Sequence, residues 1–331
     1  MAEIVLVAGT SHSPYLYSPP DMWNEGRKRR PLIREGVPMD SDETNRSKHE
    51  QCRAYSQVLR EKIEAVKPDV MLIFGDDQYE QFDFSNFPAF GVYMGEEVWG
   101  TPPDQYWRRI LLREKGIPND GVRVKGCPEL GRALTEALID RDFDLSFSLE
   151  AHNKERGIGH AFINPSYYIN PSYDIPVLPF WVNCYYPPQP TGRRCYSLGK
   201  AVRSALEEIP LDLKVAVIAS GGLWHTPGAP DAYLDETFDR GMIEAMKKGD
   251  ARGMAELFDE TPWEYHKPSA EVPAELARWT GMKGGPGGGT GETRNWLIAA
   301  AVADGIPATF AEYVPVYASP IGMAFAYWDV N

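Results

Sequence analysis

The strongest constraint on the fold is an alternation of wholly apolar runs with amphipathic helical patterns along the chain. In residues 45–66, apolar side chains recur every three or four positions, which predicts a helix with one face on a core. Pro68 ends that pattern, and residues 70–74 (VMLIF) follow as a strand that is apolar on both faces. Strands of this kind are typical of a sheet that is covered by helices on both sides.

The same alternation continues to the end of the chain. Strands are predicted at residues 4–8, 70–74, 90–94, 143–147, 177–182, 215–219, 309–314 and 323–328, and helices at 45–66, 129–139, 196–208, 235–247 and 292–303. We therefore predict an α/β fold with three layers, in which helices cover a central mixed sheet. The order of the strands stays open. We expect a single domain over residues 1–331, with polar, Pro- and Gly-rich surface excursions at 17–44 and 249–290.

Composition excludes several classes of partner. The chain has 331 residues and a net charge of −13, which works against binding to nucleic acid or to an anionic membrane surface. No apolar stretch approaches the ~20 residues that a membrane-spanning helix needs. The sequence starts with a short strand rather than a basic signal peptide, and its four cysteines are scattered. These features predict a cytoplasmic protein with reduced thiols.

Polar clusters follow three of the predicted strands. GTSHSP follows the first strand, GDDQYEQF follows the strand at 70–74, and SGGLWHTPG follows the strand at 215–219. In open α/β sheets, ligands bind beyond the carboxyl ends of the strands. Two of the six histidines, His12 and His225, lie in such turns, and Asp76, Asp77 and Glu80 lie in another. This combination favours a functional site with oxygen and imidazole ligands over three solvated loops.

Six segments in order resemble a known family. The segments are TSHSP, PDVMLIFGDDQYEQF, GIGHAFINP, VLPFWVNCYYPPQPTGRRCYSLGKAVRSAL, IASGGLWHTPG and GTGETRNWLIAAA. Together they resemble the class III extradiol ring-cleavage dioxygenases, the family of the protocatechuate 4,5-dioxygenase β subunit. The resemblance covers roughly residues 3–248 and 284–327, and it is weakest in the two excursions.

The resemblance implies a set of metal ligands. In that family, two histidines and one glutamate hold a non-haem Fe(II) and leave positions for a catechol and O₂. His12 would be the first ligand and Glu292 the carboxylate ligand, with Fe(II) as the expected metal and Mn(II) as the alternative. Relatives have a histidine where this chain has Gln78. A glutamine carbonyl is a neutral donor and a weaker one than imidazole. We predict Gln78 as the third ligand, with Asp76 and Asp77 as accessory oxygen donors; the alternative is that Gln78 is a bystander beside a lost ligand.

The resemblance also implies residues that act on the substrate. His225 resembles the acid/base histidine that accepts a phenolic proton, and His160 in GIGHAF resembles a second histidine in the substrate pocket. Tyr185 and Trp224 are predicted to contact the ring of a small aromatic substrate that reacts with O₂. The expected assembly is a homodimer or larger homo-oligomer, with a homologous second subunit as a further option.

Three functions stay open at this point. The first is a dioxygenase with an altered coordination sphere. The second is a hydrolase or isomerase acting on a dienol or diketone, in which His225 works with Asp77 or Glu80. The third is a non-catalytic homologous subunit of a heteromeric dioxygenase, because the loss of a ligand histidine is typical of such a subunit.

Overall fold

The computed structural model describes most of the chain, namely residues 1–29, 33–83, 85–116, 121–154, 156–186, 188–225, 232–261 and 290–330. The strands are β1 (Glu3–Thr10), β2 (Val70–Gly75), β3 (Phe90–Tyr93), β4 (Glu97–Gly100), β5 (Val122–Lys125), β6 (Ser146–Ser148), β7 (Val177–Val182), β8 (Lys214–Ser220), β9 (Phe310–Val316) and β10 (Ile321–Trp328). The helices are α1 (Pro14–Tyr17), α2 (Trp23–Lys28), α3 (Asp42–Val66), α4 (Pro103–Leu111), α5 (Pro128–Ile139), α6 (His160–Ile169), α7 (Gly192–Glu208), α8 (Glu236–Lys248), α9 (Ala251–Glu260) and α10 (Thr293–Val302), with one 3-10 turn at Pro20–Met22.

Eight of these strands form one mixed sheet, in the order β6-β3-β7-β2-β8-β1-β10-β9. Its centre, β7-β2-β8-β1, is parallel. β3 runs antiparallel to β7 on one side, and β10 runs antiparallel to β1 on the other. The four parallel strands therefore end at the same edge of the sheet, at Val182, Gly75, Ser220 and Thr10.

Helices cover both faces of the sheet, and each face has its own apolar core. One core joins the sheet to α5, α7, α8, α9 and α10. The other joins the opposite face to α1, α2, α3, α4 and α6. Burial of one Val, Leu, Ile or Phe side chain contributes roughly 1.5–3 kcal/mol, so strands that are apolar on both faces are stable only between two helical layers. This confirms the predicted three-layer α/β fold with a mixed central sheet.

Capping residues fix the ends of the long helices. The Ser41 hydroxyl accepts a hydrogen bond from the Thr44 N–H at the start of α3. At the other end, Lys67 adopts the left-handed conformation (φ 49°) immediately before Pro68, which prevents the helix from continuing. The carboxylate of Asp235 caps α8 in the same manner, by accepting from a backbone N–H in the first turn.

The predicted elements lie close to the observed ones, with one clear difference. The strand predicted at residues 143–147 is instead the short β6, because Phe143 belongs to the turn after α5. Its side chain is buried and packs against the ring of Phe90, with the centroids 6.5 Å apart. Phe143, the apolar residue that suggested a strand, therefore packs in the core although it lies outside the sheet.

Several elements were not predicted, and α6 matters most because it begins with His160. Its residues are buried on nearly all sides, so they have no amphipathic period, and Pro165 lies inside the helix. The interval 249–290 was predicted as a surface excursion, but it starts with α9, whose Met254 and Phe258 join the core. Trp23, in the interval 17–44, is also fully buried. Residues 262–289 lie outside the described part of the chain.

Among the described helices, none combines the length and the apolar character that crossing a lipid bilayer requires.

Candidate metal centre

Polar residues from distant segments meet at the carboxyl edge of the parallel strands. His12 follows β1, Asp76 follows β2, and His225 lies in the turn after β8. Glu292 is the N-cap residue of α10, and a backbone bridge between His225 and Thr290 brings this helix start to the sheet edge. Solvent reaches 2% of the surface of His12 and none of the surface of Asp76 or Glu292. The predicted convergence of the first and last site residues is therefore present.

The imidazole of His12 is held in one tautomer. Its Nδ1 lies 2.8 Å from the Ser220 hydroxyl oxygen, and that hydroxyl donates its proton to the carbonyl of Ala161 at 2.5 Å. Because a serine hydroxyl carries one hydrogen, Ser220 must accept from Nδ1–H of His12. Nε2 is then the unprotonated nitrogen, and it has no hydrogen-bond partner among the described residues. A buried imidazole with one nitrogen fixed and a free lone pair on the other is typical of a metal ligand.

The carboxylate of Glu292 is fixed on one side and faces His12 on the other. Its Oε2 accepts a hydrogen bond from the Gly222 N–H at 2.6 Å, and its Oε1 lies 3.5 Å from Nε2 of His12. The Tyr185 hydroxyl donates to Oε1, and Nδ1 of His225 lies 3.2 Å from the same oxygen. Burial opposes ionisation, but the His225 imidazole makes the largest of the contributions that outweigh it and hold the pKa of Glu292 well below its usual range.

Asp76 places a second carboxylate beside His12. Its Oδ1 lies 3.7 Å from Nε2 of His12 and has no hydrogen-bond partner within the described ranges. Its Oδ2 accepts a hydrogen bond from the side-chain amide of Gln78 at 3.2 Å. Burial, followed by repulsion from the Glu292 carboxylate, raises the pKa of Asp76. Ligand atoms of His12, Asp76 and His160 all lie within 4.8 Å of one another, as a group able to hold a metal ion would.

His160 forms a buried ion pair that the sequence did not predict. Both carboxylate oxygens of Glu80 lie 2.9 Å from Nδ1 of His160, and its backbone N–H also donates to Glu80 at 2.9 Å. Burial disfavours the imidazolium, but Glu80 more than offsets this and raises the pKa of His160 to about 9. The ring stacks on Tyr106 at 4.9 Å and meets the His12 ring edge-on at 4.6 Å. At neutral pH this side of the site therefore presents an N–H donor.

Asp77 holds the turn after β2 rather than facing His12. Its carboxylate accepts hydrogen bonds from the backbone N–H groups of Glu80, Gln81 and Phe82 at 2.8–3.2 Å. Tyr79, inside this turn, has a left-handed backbone (φ 64°), which such a tight turn requires. Burial and the neighbouring Glu80 raise the pKa of Asp77 to about 7, although the backbone donors oppose the shift. Its predicted role as an accessory donor stays a prediction.

The two aromatic residues predicted to contact substrate have different surroundings. The Tyr185 hydroxyl reaches Glu292 and lies 3.3 Å from Nδ1 of His225, so it belongs to the centre. The indole of Trp224 is buried, donates to the backbone carbonyl of Tyr233 at 2.9 Å and packs against Phe238. A substrate contact by Trp224 stays a prediction.

Arg294 is a buried cation that fixes the scaffold around the site. Its guanidinium donates to three backbone carbonyls, those of Pro190, Cys184 and Gly291, at 2.7–3.2 Å. These contacts join the loop after β7, which carries Tyr185, to the start of α10. The sequence contains an indication of this role, since an arginine lies two residues after Glu292, at the start of a helix whose later turns are apolar.

A cavity of about 260 Å³ opens beside the cluster. It is lined by Gln78, Glu80, Thr101, Tyr106, Arg109, Arg156 and His160. Pockets for drug-sized ligands are typically ~300–1,000 Å³, so this cavity suits a smaller molecule such as a single substituted ring.

The geometry is compatible with a divalent cation. Donors held about 2.1 Å from one ion lie roughly 3–3.5 Å from each other, close to the separations between His12 Nε2 and the two carboxylate oxygens. The fold and the cluster together define an α/β protein with a candidate cation site at the carboxyl edge of its parallel strands.

Comparison with known proteins identifies the family. Residues 7–315 match the LigB family model, described as the catalytic LigB subunit of aromatic ring-opening dioxygenase. The chain belongs to this family, which confirms the resemblance found in the sequence.

Several relatives are similar over part of their length. A gallate dioxygenase of Pseudomonas putida is 31% identical over 178 residues, which are 53% of this chain and 50% of the relative. A 2,3-dihydroxyphenylpropionate/2,3-dihydroxicinnamic acid 1,2-dioxygenase of Photorhabdus laumondii is 29% identical over 202 residues, 60% of this chain and 55% of the relative. The matches thus span about half of each relative's length. The crystal structure of an uncharacterized Escherichia coli K12 protein superposes with a TM-score of 0.43 at 14% identity, covering 82% of this chain and 91% of that one.

Proposed function

We propose that this chain is a metal-dependent dioxygenase of the extradiol type, which opens the ring of a small aromatic diol with O₂. The observation that carries the proposal is Nε2 of His12, which is buried, has no partner in the described part of the chain and lies 3.5 Å from the Glu292 carboxylate, in a chain of the LigB family. A fixed lone pair facing a carboxylate in a site with almost no solvent access is a costly arrangement unless a cation binds there.

His12 and Glu292 would hold the cation, with a further oxygen from the segment after β2. Fe(II) is the expected metal and Mn(II) the alternative, because imidazole and carboxylate donors suit both. When bound, the metal would activate the diol and O₂ for insertion of oxygen next to the two hydroxyl groups. Ser220 supports this function by keeping His12 in the tautomer whose Nε2 is free.

His225 would act as the general base. Its Nδ1 faces the oxygens of Glu292 and Tyr185 at 3.2 and 3.3 Å, which makes Nδ1 the protonated nitrogen and Nε2 the acceptor. Nε2 would then remove a proton from a substrate hydroxyl. A positioned base of this kind contributes typically 10²–10⁴-fold to the rate.

His160 would stabilise negative charge on the substrate. Its pairing with Glu80 keeps the ring protonated at neutral pH and fixes its orientation in the cavity wall. The remaining Nε2–H would donate to a substrate oxygen as that oxygen becomes anionic.

The test is oxygen consumption by protein that has been loaded with Fe(II) under anaerobic conditions. Gallate, 2,3-dihydroxyphenylpropionate, protocatechuate and catechol are added in turn, and O₂ uptake is followed together with loss of the aromatic absorbance. We expect one O₂ per ring with at least one compound. We also expect the His225→Asn variant to bind iron normally while losing activity by about 10²–10⁴-fold.

Two outcomes would overturn the proposal. Tightly bound iron without O₂ uptake on any of the four diols would favour the non-catalytic homologous subunit. Turnover of a dienol or diketone that persists in chelator and without O₂ would favour the hydrolase or isomerase. The homo-oligomeric state that the resemblance implies is a separate proposal, checked by light scattering.

A further inference from the structure

We infer that Asp76, and not Gln78, supplies the third protein ligand, so that the cation site consists of one imidazole and two carboxylates. Gln78 is then a positioning residue that orients Asp76 through its side-chain amide. The inference rests on the proposed cation site and goes beyond it, because it assigns the position that the family fills with a second imidazole.

The first argument is the direction of the side chains. Asp76 Oδ1 faces Nε2 of His12 at 3.7 Å, whereas the amide nitrogen of Gln78 points at the other oxygen of Asp76, at 3.2 Å. An amide N–H group cannot bind a cation, and its donation to Oδ2 leaves Oδ1 as the oxygen directed at His12. Gln78 itself is only half-buried and lines the wall of the adjacent cavity.

The second argument is that the buried Asp76 carboxylate has an oxygen without a hydrogen-bond partner in the described part of the chain. The surface of Asp76 is entirely inaccessible to solvent, and its Oδ1 has no partner among the residues that the structure describes. The Glu292 carboxylate, also fully buried, faces the same histidine nitrogen at 3.5 Å. Two buried carboxylates beside one imidazole repel each other, and a cation between them removes both the repulsion and the missing contact.

The third argument compares Asp76 with the other acids nearby. Asp77 uses both of its oxygens for the backbone N–H groups of the turn after β2. Glu80 uses both of its oxygens for His160. Asp76 alone of these three acids keeps a carboxylate oxygen unpartnered within the described ranges. His160 has the substrate role proposed above, donation from Nε2–H to a substrate oxygen, and we therefore assign no ligand role to that ring.

The ligand set has a consequence for metal selectivity. Replacing a neutral imidazole by a carboxylate makes the site harder and lowers the charge of the protein ligands from −1 to −2. Oxygen-rich sites of this kind favour Mn(II) and Fe(II) over the softer Zn(II) and Cu(II) more than a site with two histidines does.

The experiment measures Mn(II) binding by isothermal titration calorimetry and needs no substrate. In Asp76→Asn, we expect the dissociation constant for Mn(II) to rise by at least about 100-fold, the upper end of what the loss of an outer-shell partner costs. In Gln78→Leu, we expect a rise of only about 10-fold, because the ligand remains and loses just its orientation. A Gln78→Leu variant that binds Mn(II) more weakly than Asp76→Asn would overturn the assignment.

Thermal unfolding of the metal-free proteins separates a ligand from a merely structural residue. Asp76→Asn removes a buried charge whose Oδ1 has no partner among the described residues, so we expect its metal-free form to melt at a higher temperature than the wild type while it gains less from Mn(II). If Asp76 had only a structural role, Asp76→Asn would lower the melting temperature of both the metal-free and the Mn(II)-loaded protein, and that result would count against the inference. Asp239→Asn is the matched control, since it neutralises another fully buried acid that does not face His12, and it should leave Mn(II) affinity unchanged.

Pulsed electron paramagnetic resonance of the Mn(II)-loaded protein counts the coordinated imidazoles. We expect one strongly coupled nitrogen, which disappears in His12→Ala. Two such nitrogens would make His160 a ligand and refute the one-imidazole site. If the wild type binds neither Mn(II) nor Fe(II), the proposed function fails. If the wild type binds these ions and the Asp76→Asn variant binds them with the same affinity, only this inference fails.

Discussion

Asp239 gives the sharpest test of how the stability of this protein depends on pH. It lies in α8 with no exposed surface, and its oxygens accept hydrogen bonds from the Trp224 N–H (2.7 Å) and the Tyr313 hydroxyl (2.8 Å). Burial raises the pKa of Asp239 from 3.8 to about 8, although both donors oppose the shift.

The sign of the effect follows from the direction of the shift. Above pH 3.8 the unfolded chain has released the Asp239 proton, whereas the folded protein keeps it until about pH 8. The contribution of this group to the free energy of unfolding is therefore fully present below the lower value and is lost as the pH rises to the higher one. One pKa unit corresponds to ~1.4 kcal/mol, so the loss between pH 5 and pH 7.5 is about 3 kcal/mol.

The perturbation is Asp239→Asn, which removes the titration and keeps the size of the side chain. We expect the free energy of unfolding of the variant to rise relative to that of the wild type by about 3 kcal/mol from pH 5 to pH 7.5. The assay is urea denaturation in the presence of a chelator. Glu244→Gln, at an acid of the same helix that is 60% exposed, is the matched control and should show no such slope. A difference between Asp239→Asn and wild type that stays constant with pH would refute the reasoning.

Three further predictions concern the site and its support. Ser220→Ala should weaken Mn(II) binding by about 10–100-fold, because His12 loses the partner that fixes its tautomer; unchanged calorimetric affinity would contradict this. Glu80→Gln should lower the pKa of His160 from about 9, because the largest contribution that opposes burial is removed; a proton NMR titration of the ring that still gives a value near 9 would exclude Glu80 as the cause. Arg294→Met should lower the free energy of unfolding by about 3 kcal/mol or more, because three backbone carbonyls lose a buried donor; chemical denaturation that gives less than about 1 kcal/mol would show that water replaces it.

Prediction from the sequence succeeded where the signal was local. The apolar runs of β2, β7 and β8 carry their own periodicity, so the layered fold followed from them without any knowledge of strand order. It failed at α6, because a helix that is buried on nearly all sides has no amphipathic period and Pro165 indicated a break. The start of that helix carries His160, so the same gap concealed its pairing with Glu80.

Some residues of the candidate site could also be predicted from local sequence patterns, and others could not. His12, Asp76 and His225 were identifiable because each follows a strand, and the carboxyl ends of parallel strands meet at one edge. Ser220 gave a weak signal as a polar residue that ends an apolar strand. Its contact with His12 spans 208 positions of the chain, a relation that no local pattern encodes.

The sequence by itself determined the three-layer α/β fold and the edge at which polar residues gather, because hydrophobic periodicity and strand direction are properties of neighbouring residues. Tertiary structure alone decided which of those residues face one another. The strand order β7-β2-β8-β1 sets Asp76 beside His12, and the packing of α10 adds Glu292 from the far end of the chain. Which oxygen stays unpartnered depends on every donor around it, and those donors come from segments that only the folded chain brings together.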